Sequence, residues 1–390
     1  MQGVSIAIFV KRKGAAGPAK VRHADLWGLR TDKYDWLSTQ SLETTTWTEV
    51  QPSTPFYLLR PQDTEWFEEY QKGWKLTDIF PVNVLGFQTH RDRFAVDFDR
   101  STVEERIEDL RDARQTDDEL RDQYALRDNR DWQLAAARTD LTNNTNWQQP
   151  IIECDYRPFD RRFCYFDKSV MDYPRRELLD HVAGRENISL LASRQQGTVG
   201  YRHAWVALAP ANDCVVSTTS REANQVFPLY VYPSDGSRRL ALEDDAWPAD
   251  NANGDRKPNI TPAFVEALSA ATGLTFISAR RDTLADSEYS PEDILGYVYA
   301  VLHCPSYRQL FAEYLRMDFA RIPVTSDPVQ FRELSRIGRE LVGLHTLNSA
   351  PNTLLPLRFP ISGDNQVARR HPRYVPPTAD EGRLVCRHRG

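Results

Sequence analysis

Lysine is scarce in this chain: of 49 basic residues in 390, only eight are lysines and 41 are arginines. No run of about 18 apolar residues occurs, so the sequence offers no membrane-spanning helix. The start, MQGVSIAIFVKRKG, is apolar for about seven positions before its charges, the reverse of a signal peptide, which leads with charge and ends in a cleavage site. The expected location is therefore the cytoplasm. Cysteine is sparse and odd in number, at positions 154, 164, 214, 304 and 386, with no CxxC. None of the eight histidines forms an HExxH, which leaves no ligand set for zinc and suits free thiols in a reduced compartment. There is no GxSxG, no P-loop and no GxGxxG behind a strand, so no familiar catalytic framework assembles. Carboxylate pairs such as Asp244–Asp245 read as solvated surface, and His303 and His345 read as satisfied core histidines on apolar helix faces.

What is present is ordinary in bulk and lopsided in detail. Hydrophobic residues make up 41% and charged residues 27%, as in a globular protein of two or three domains. The formal net charge of −6 argues at first against a polyanionic partner. Residues 97–131, however, hold 13 acids and seven arginines, which equals the whole imbalance and leaves a neutral remainder free to present a basic face. Arginine's planar fork suits phosphate and guanine, although a GC-rich genome would give the same bias. The densest mixture is YRPFDRRFCYFD, residues 156–167, with five aromatics and five charged side chains in twelve positions.

The periodicities predict an α+β chain. Residues 3–12, GVSIAIFVKR, read as one buried strand without neighbours. A strand is expected within 44–60, a short helix over 65–75, and a strand pair around Gly86 over 80–99. Residues 101–127 carry helical spacing on an acidic body, opened by Ser101 and Thr102 ahead of Glu104 and Glu105. Past the polar joint NNTNWQQP come β-like runs at 161–167, 188–195, 203–210, 214–220 and 227–233, interrupted by a helix at 174–182. A loop over 234–259 precedes helices at 261–273, 290–304, 306–319 and 328–347, each with start signals or an apolar stripe.

Several of these blocks are long and idiosyncratic. In order and spacing, YRPFDRRFCYFD, PRRELLDHV, NISLLASRQ, FPLYVYP, SPEDILGYVYAVLHCPSYRQLFAEYLRMDFARIPV and GRELVGLHTL resemble the carboxy-terminal specificity region of type ISP restriction-modification enzymes. The resemblance covers about residues 3–350. It implies large single-chain relatives, similar to type IIG enzymes, in which a nuclease, a translocating ATPase and an adenine-N6 methyltransferase precede a target recognition domain. GVSIAIFVKR then resembles the last strand of the methyltransferase sheet, and GFQTHRD, residues 86–92, the start of the recognition region. The expected division is 1–35 as a residual methyltransferase edge, 36–150 as connector, 151–350 as recognition domain and 351–390 as a truncated tail. The fold class is accordingly a mixed β-rich recognition domain followed by a helical part, with one leftover methyltransferase strand.

Two departures from the family matter. The glycine-rich S-adenosylmethionine loop, the Asn-Pro-Pro-Tyr tetrapeptide, the ATPase and the nuclease are absent, and a downstream Gly-Gly-Tyr block is missing. S-adenosylmethionine, ATP and Mg are thus expected only in full-length relatives, and no catalytic residue is assigned. The resemblance implies double-stranded DNA as the partner, with Arg157, Arg161, Arg194 and Gln195 as contacts and Thr89 and Arg91 nearer the target adenine. An Arg/Asp-latched strand that merely holds the domain together would use the same residues. Two rivals stay open: one half of a split enzyme, docked on a separate methyltransferase or helicase–nuclease subunit, and the remnant of a broken gene.

Overall fold

The computed structural model describes residues 5–14, 16–54, 57–61, 65–197, 200–217, 222–233, 247, 256–278 and 283–348, and the backbone of 373–378 and 381–385. Residues 218–220 of the expected strand at 214–220, most of the 234–259 loop and most of the tail lie outside the described residues. The chain divides into two compact units, Met1–Asn348 and Ser349–Gly390. In the second, Arg373–Thr378 pairs antiparallel with Glu381–Val385.

The first unit is organised by a four-stranded sheet in the order Val84–Leu85, Asn224–Pro228, Ser189–Ser193, Ala204–Ala207. Its pairings are antiparallel, with Val226 opposite Leu191 and Leu190 opposite Val206. Alternate side chains point to opposite faces of a strand. Leu190, Ala192, Phe227 and Val206 accordingly join one core, with Phe264, Tyr297, Val298 and Phe331, whereas Leu191, Val226 and Ala207 join another, with Phe94, Ile107, Leu141 and Tyr165. A sheet covered on both faces needs continuous apolar strands, which is why SLLAS is buried at every position.

One face is closed by helices. Pro262–Thr272 and Pro291–His303 begin where Thr-Pro and Ser-Pro-Glu-Asp predict a start, and Pro328–His345, expected from its apolar stripe, opens behind an Asp327 cap. Ser290 Oγ accepts the Asp293 amide at 3.2 Å and the Asp293 carboxylate accepts the Ser290 amide at 2.9 Å, a reciprocal cap. Gly296 and Gly338 bring the backbones of the last two helices together: a Cβ on Gly338 would overlap the Gly296 carbonyl oxygen. The other face carries Arg100–Arg111, Asp117–Tyr124 and Leu134–Asn143, together with a three-stranded sheet of Val96–Asp97, Asp160–Tyr165 and Ile151–Arg157.

Several expectations change. Residues 214–217 form turns and no strand, and the expected helix at 306–319 is two short ones, Pro305–Leu310 and Ala312–Leu315. Residues 5–12 form no strand, and Ile6, Ile8, Phe9 and Val10 are exposed, because no neighbouring backbone offers a ladder. The segment 80–99 is no strand pair: Val84–Leu85 and Val96–Asp97 belong to different sheets. Gly86 is needed there for close approach, since a Cβ would lie 2.6 Å from the backbone of Asn212 and Asp213. The acidic helix is two helices. The first starts after Asp99 without a side-chain cap, and the second starts at Thr116, whose hydroxyl accepts the Glu119 amide at 3.3 Å.

Candidate nucleic-acid interface

The block YRPFDRRFCYFD folds as a hairpin in which Ile151–Arg157 pairs with Asp160–Tyr165. Of its apolar members, Cys164, Tyr165 and Phe166 are buried in the core, whereas Phe159 at the tip is exposed. Its charged members divide by partner. Arg162 lies against Asp160 at 2.7 Å and over the rings of Phe98 and Tyr156, at 4.1 and 4.4 Å. Arg161 points outward with 42% of its side chain exposed, 3.3 Å from Asp155 and 3.9 Å from Glu153. Arg157 lies over the Tyr156 ring at 3.9 Å and donates to the Tyr156 carbonyl at 2.5 Å and to Asn212 Oδ1 at 2.8 Å. Among the described residues no carboxylate pairs with it, so its charge is oriented and uncompensated.

The GFQTHRD segment is bound up differently. Phe87 is in the core, and Gln88 donates to Asp213 at 2.6 Å. The Thr89 hydroxyl is buried and donates to Asp92. Asp92 also accepts from the Tyr156 hydroxyl at 2.8 Å, which ties this segment to the hairpin. Burial and the Asp92 charge push the Tyr156 phenol up to about 12. Arg91 is only 7% exposed, stacked over Trp132 at 3.9 Å and bonded to Asp172 at 2.6 Å and to the Val170 carbonyl at 2.6 Å. Burial lowers the pKa of this guanidinium. Asp172 in turn takes His90 and, at 2.8 Å, the Asn129 amide. Burial alone would raise the Asp172 carboxyl, but the bonds from His90, Arg91 and Asn129 outweigh it and hold the carboxyl below its ordinary value. Neither Thr89 nor Arg91 therefore turns its polar group to solvent.

Arg194 and Gln195 follow the central strand at its open end. Arg194 is 67% exposed and 3.2 Å from Asp318, which Lys75 also approaches at 2.8 Å. Gln195 donates to the Met317 carbonyl at 3.3 Å. The sheet brings this pair and Arg157 to the same end. Asn224 pairs with Ser193, immediately before Arg194, and its side chain donates to the Asn212 carbonyl at 3.1 Å. Asn212 is the residue that holds Arg157.

Two contributors escaped the sequence. Asn212, 55 positions from Arg157, gave no local signal. Phe159 did: Pro-Phe between Arg157 and Asp160 is a turn dipeptide, and the ring stands 60% exposed at the hairpin tip. Among the described residues, no group of His, Cys, Asp and Glu is placed to hold a metal ion, and no helix is long and apolar enough to cross a membrane.

Comparison with known proteins places these features in context. A family model described as the Type ISP C-terminal specificity domain matches residues 78–390. No functionally curated protein matches the chain. The cryo-EM structure of a DrdV–DNA complex superposes with a TM-score of 0.56 at 21% identity, covering 81% of this chain and 29% of that one. A nuclease-deletion mutant of the Type ISP restriction-modification enzyme LlaGI, in complex with a DNA substrate mimic, gives 0.55 at 18% identity over 85% of this chain and 28% of its own. The ATP-dependent Type ISP restriction-modification enzyme LlaBIII, bound to DNA, gives 0.53 at 17%, over 78% and 18%. At these identities the likeness is one of fold, and the chain spans under a third of each of these three proteins.

Proposed function

The chain belongs to the Type ISP C-terminal specificity family, and from that premise we propose that it reads duplex DNA and orients a target adenine for N6-methylation by a methyltransferase domain outside it. The three solved relatives were all captured with DNA or a DNA mimic, which supports the partner. The observation that carries the reading is Arg157. A guanidinium over a ring and aimed by an amide, with no carboxylate partner among the described residues, is ready for a phosphate or a base edge.

Arg161, Arg194 and Gln195 extend the same surface. Arg161 and Arg194, 42% and 67% exposed, would turn from part-buried carboxylates, Asp155 and Asp318, toward phosphates; Asp155 would keep the Leu208 and Ala209 amides as partners. Thr89 and Arg91 would act from behind this surface, holding the 86–92 segment in shape against the hairpin.

The test is a gel shift with duplex DNA over a salt series. Wild-type chain should bind at low salt and weaken steeply as salt rises. Arg157→Ala should reduce the slope of log affinity against log salt by about one, with a loss of about tenfold in affinity. Failure of the wild-type chain to bind any duplex at low salt would remove this function.

A further inference from the structure

We propose that Phe159 is a wedge that enters between two adjacent base pairs while the neighbouring arginines hold the phosphates beside it. This deepens the DNA-binding reading and rests on it. The hairpin is closed by two residues, Pro158 and Phe159, between the paired Arg157 and Asp160. Proline fixes a negative φ at the first position, and Phe159 has a φ of +60° at the second. That order of signs is the type II turn, whose second central residue is normally glycine. A phenylalanine there strains the backbone, and glycine would relieve it.

Burial does not compensate for the strain, because the ring is 60% exposed. One side is braced and the other is open. The ring stands nearly perpendicular to Trp205 at 4.9 Å and to His345 at 6.1 Å. Trp205 and His345 stack on each other at 4.2 Å, and His345 Nδ1 hydrogen-bonds the Tyr299 hydroxyl at 2.6 Å. The brace therefore reaches into the helix pair, and the ring cannot fold down into the protein.

What would receive such a ring is set by its neighbours. Arg157 and Arg161 lie in the same hairpin, Arg157 without a carboxylate partner among the described residues. An apolar protein surface would not match those cations. Duplex DNA offers phosphates outside and stackable, apolar base faces within. Phenylalanine is among the side chains that proteins insert from the minor groove to part base steps.

The experiment measures affinity of the full chain, at low salt, for two short duplexes of one sequence, intact or carrying one unpaired nucleotide. The unpaired nucleotide removes the work of unstacking, so wild type should prefer that duplex by at least about fivefold. Phe159→Gly, which suits the turn, should stay folded and lose the preference, and Phe159→Leu should keep most of it. Phe159→Asn, which also tolerates positive φ, serves if the glycine variant does not fold. Arg157→Ala should weaken both duplexes alike. A wild type that binds both duplexes equally, or a glycine or asparagine variant that still discriminates, overturns the wedge and leaves DNA binding intact. A wild type that binds neither overturns the DNA reading as well.

Discussion

Arg91 in the 86–92 segment and Arg157 in the hairpin each lie 3.9 Å from the centre of an aromatic ring, Trp132 and Tyr156 respectively. Their remaining contacts set them apart. Arg91 is sealed against a fully buried carboxylate, Asp172, whereas Arg157 is aimed by the neutral amide of Asn212 and keeps its charge. The two regions touch through the Tyr156–Asp92 hydrogen bond, so one surface joins a closed electrostatic unit to an open one. An arginine over a ring is thus a shared construction, and the third partner decides whether it holds the fold or waits for a ligand.

The comparison breaks most visibly at Asp172. Asp172→Ala leaves Arg91 charged and buried, and should cost about 3–5 kcal/mol of stability in urea unfolding. Arg157→Ala, measured the same way, should cost less, about 1–2 kcal/mol, because it removes a part-buried ring contact and charge-assisted hydrogen bonds to two neutral acceptors, the Tyr156 carbonyl and Asn212 Oδ1. Equal losses would mean that the two arginines play the same structural role.

Mild acid separates the regions next. Burial, with nearby positive charge from Arg308 and His345, lowers His303 to about 4, and burial also lowers His345. A folded-state value below the unfolded one means that unfolding takes up protons. Stability should then be greatest above about pH 6.5, fall as the pH drops toward 4 and level off below it. Asp172, held below its ordinary value, should keep its latch with Arg91 through that window and lose it only further into acid. Tryptophan fluorescence across this range should report movement at Trp205, near the histidines, before Trp132, over Arg91. The reverse order would contradict the division.

The smallest effect should come from Asp318. It restrains Arg194 and Lys75 at the surface, and its removal deletes a negative charge from the proposed DNA face. Asp318→Ala should tighten low-salt duplex binding by about two- to fivefold. Weaker binding would take Arg194 off the interface.

The helices around residues 262–345 were legible because their starts and stripes are local, as in Ser290 with Asp293. The same kind of signal, Thr116 with Glu119, marks the second acidic helix but lies inside a longer apolar spacing that masks it. Gly86 could not be read correctly, because what it accommodates is the backbone of Asn212, and a glycine in isolation looks like a turn. Arg91 and Arg157 could not be told apart for the same reason. Their deciding partners, Asp172 and Asn212, stand 81 and 55 positions away.

Gly296 and Gly338 touch, and seven residues further along each helix His303 and His345 meet again, with ring centres 5.5 Å apart. Two helices that run in the same direction and meet twice at equal spacing are keyed like a ruler against its copy. Seven residues is close to two full turns, so one residue inserted between Gly338 and His345 would swing that imidazole by about 100°. It would leave the indole of Trp205 and take away the support beneath the hairpin tip. Matching insertions in both helices would restore the key, so the distance that fixes Phe159 is a length of helix counted in whole turns.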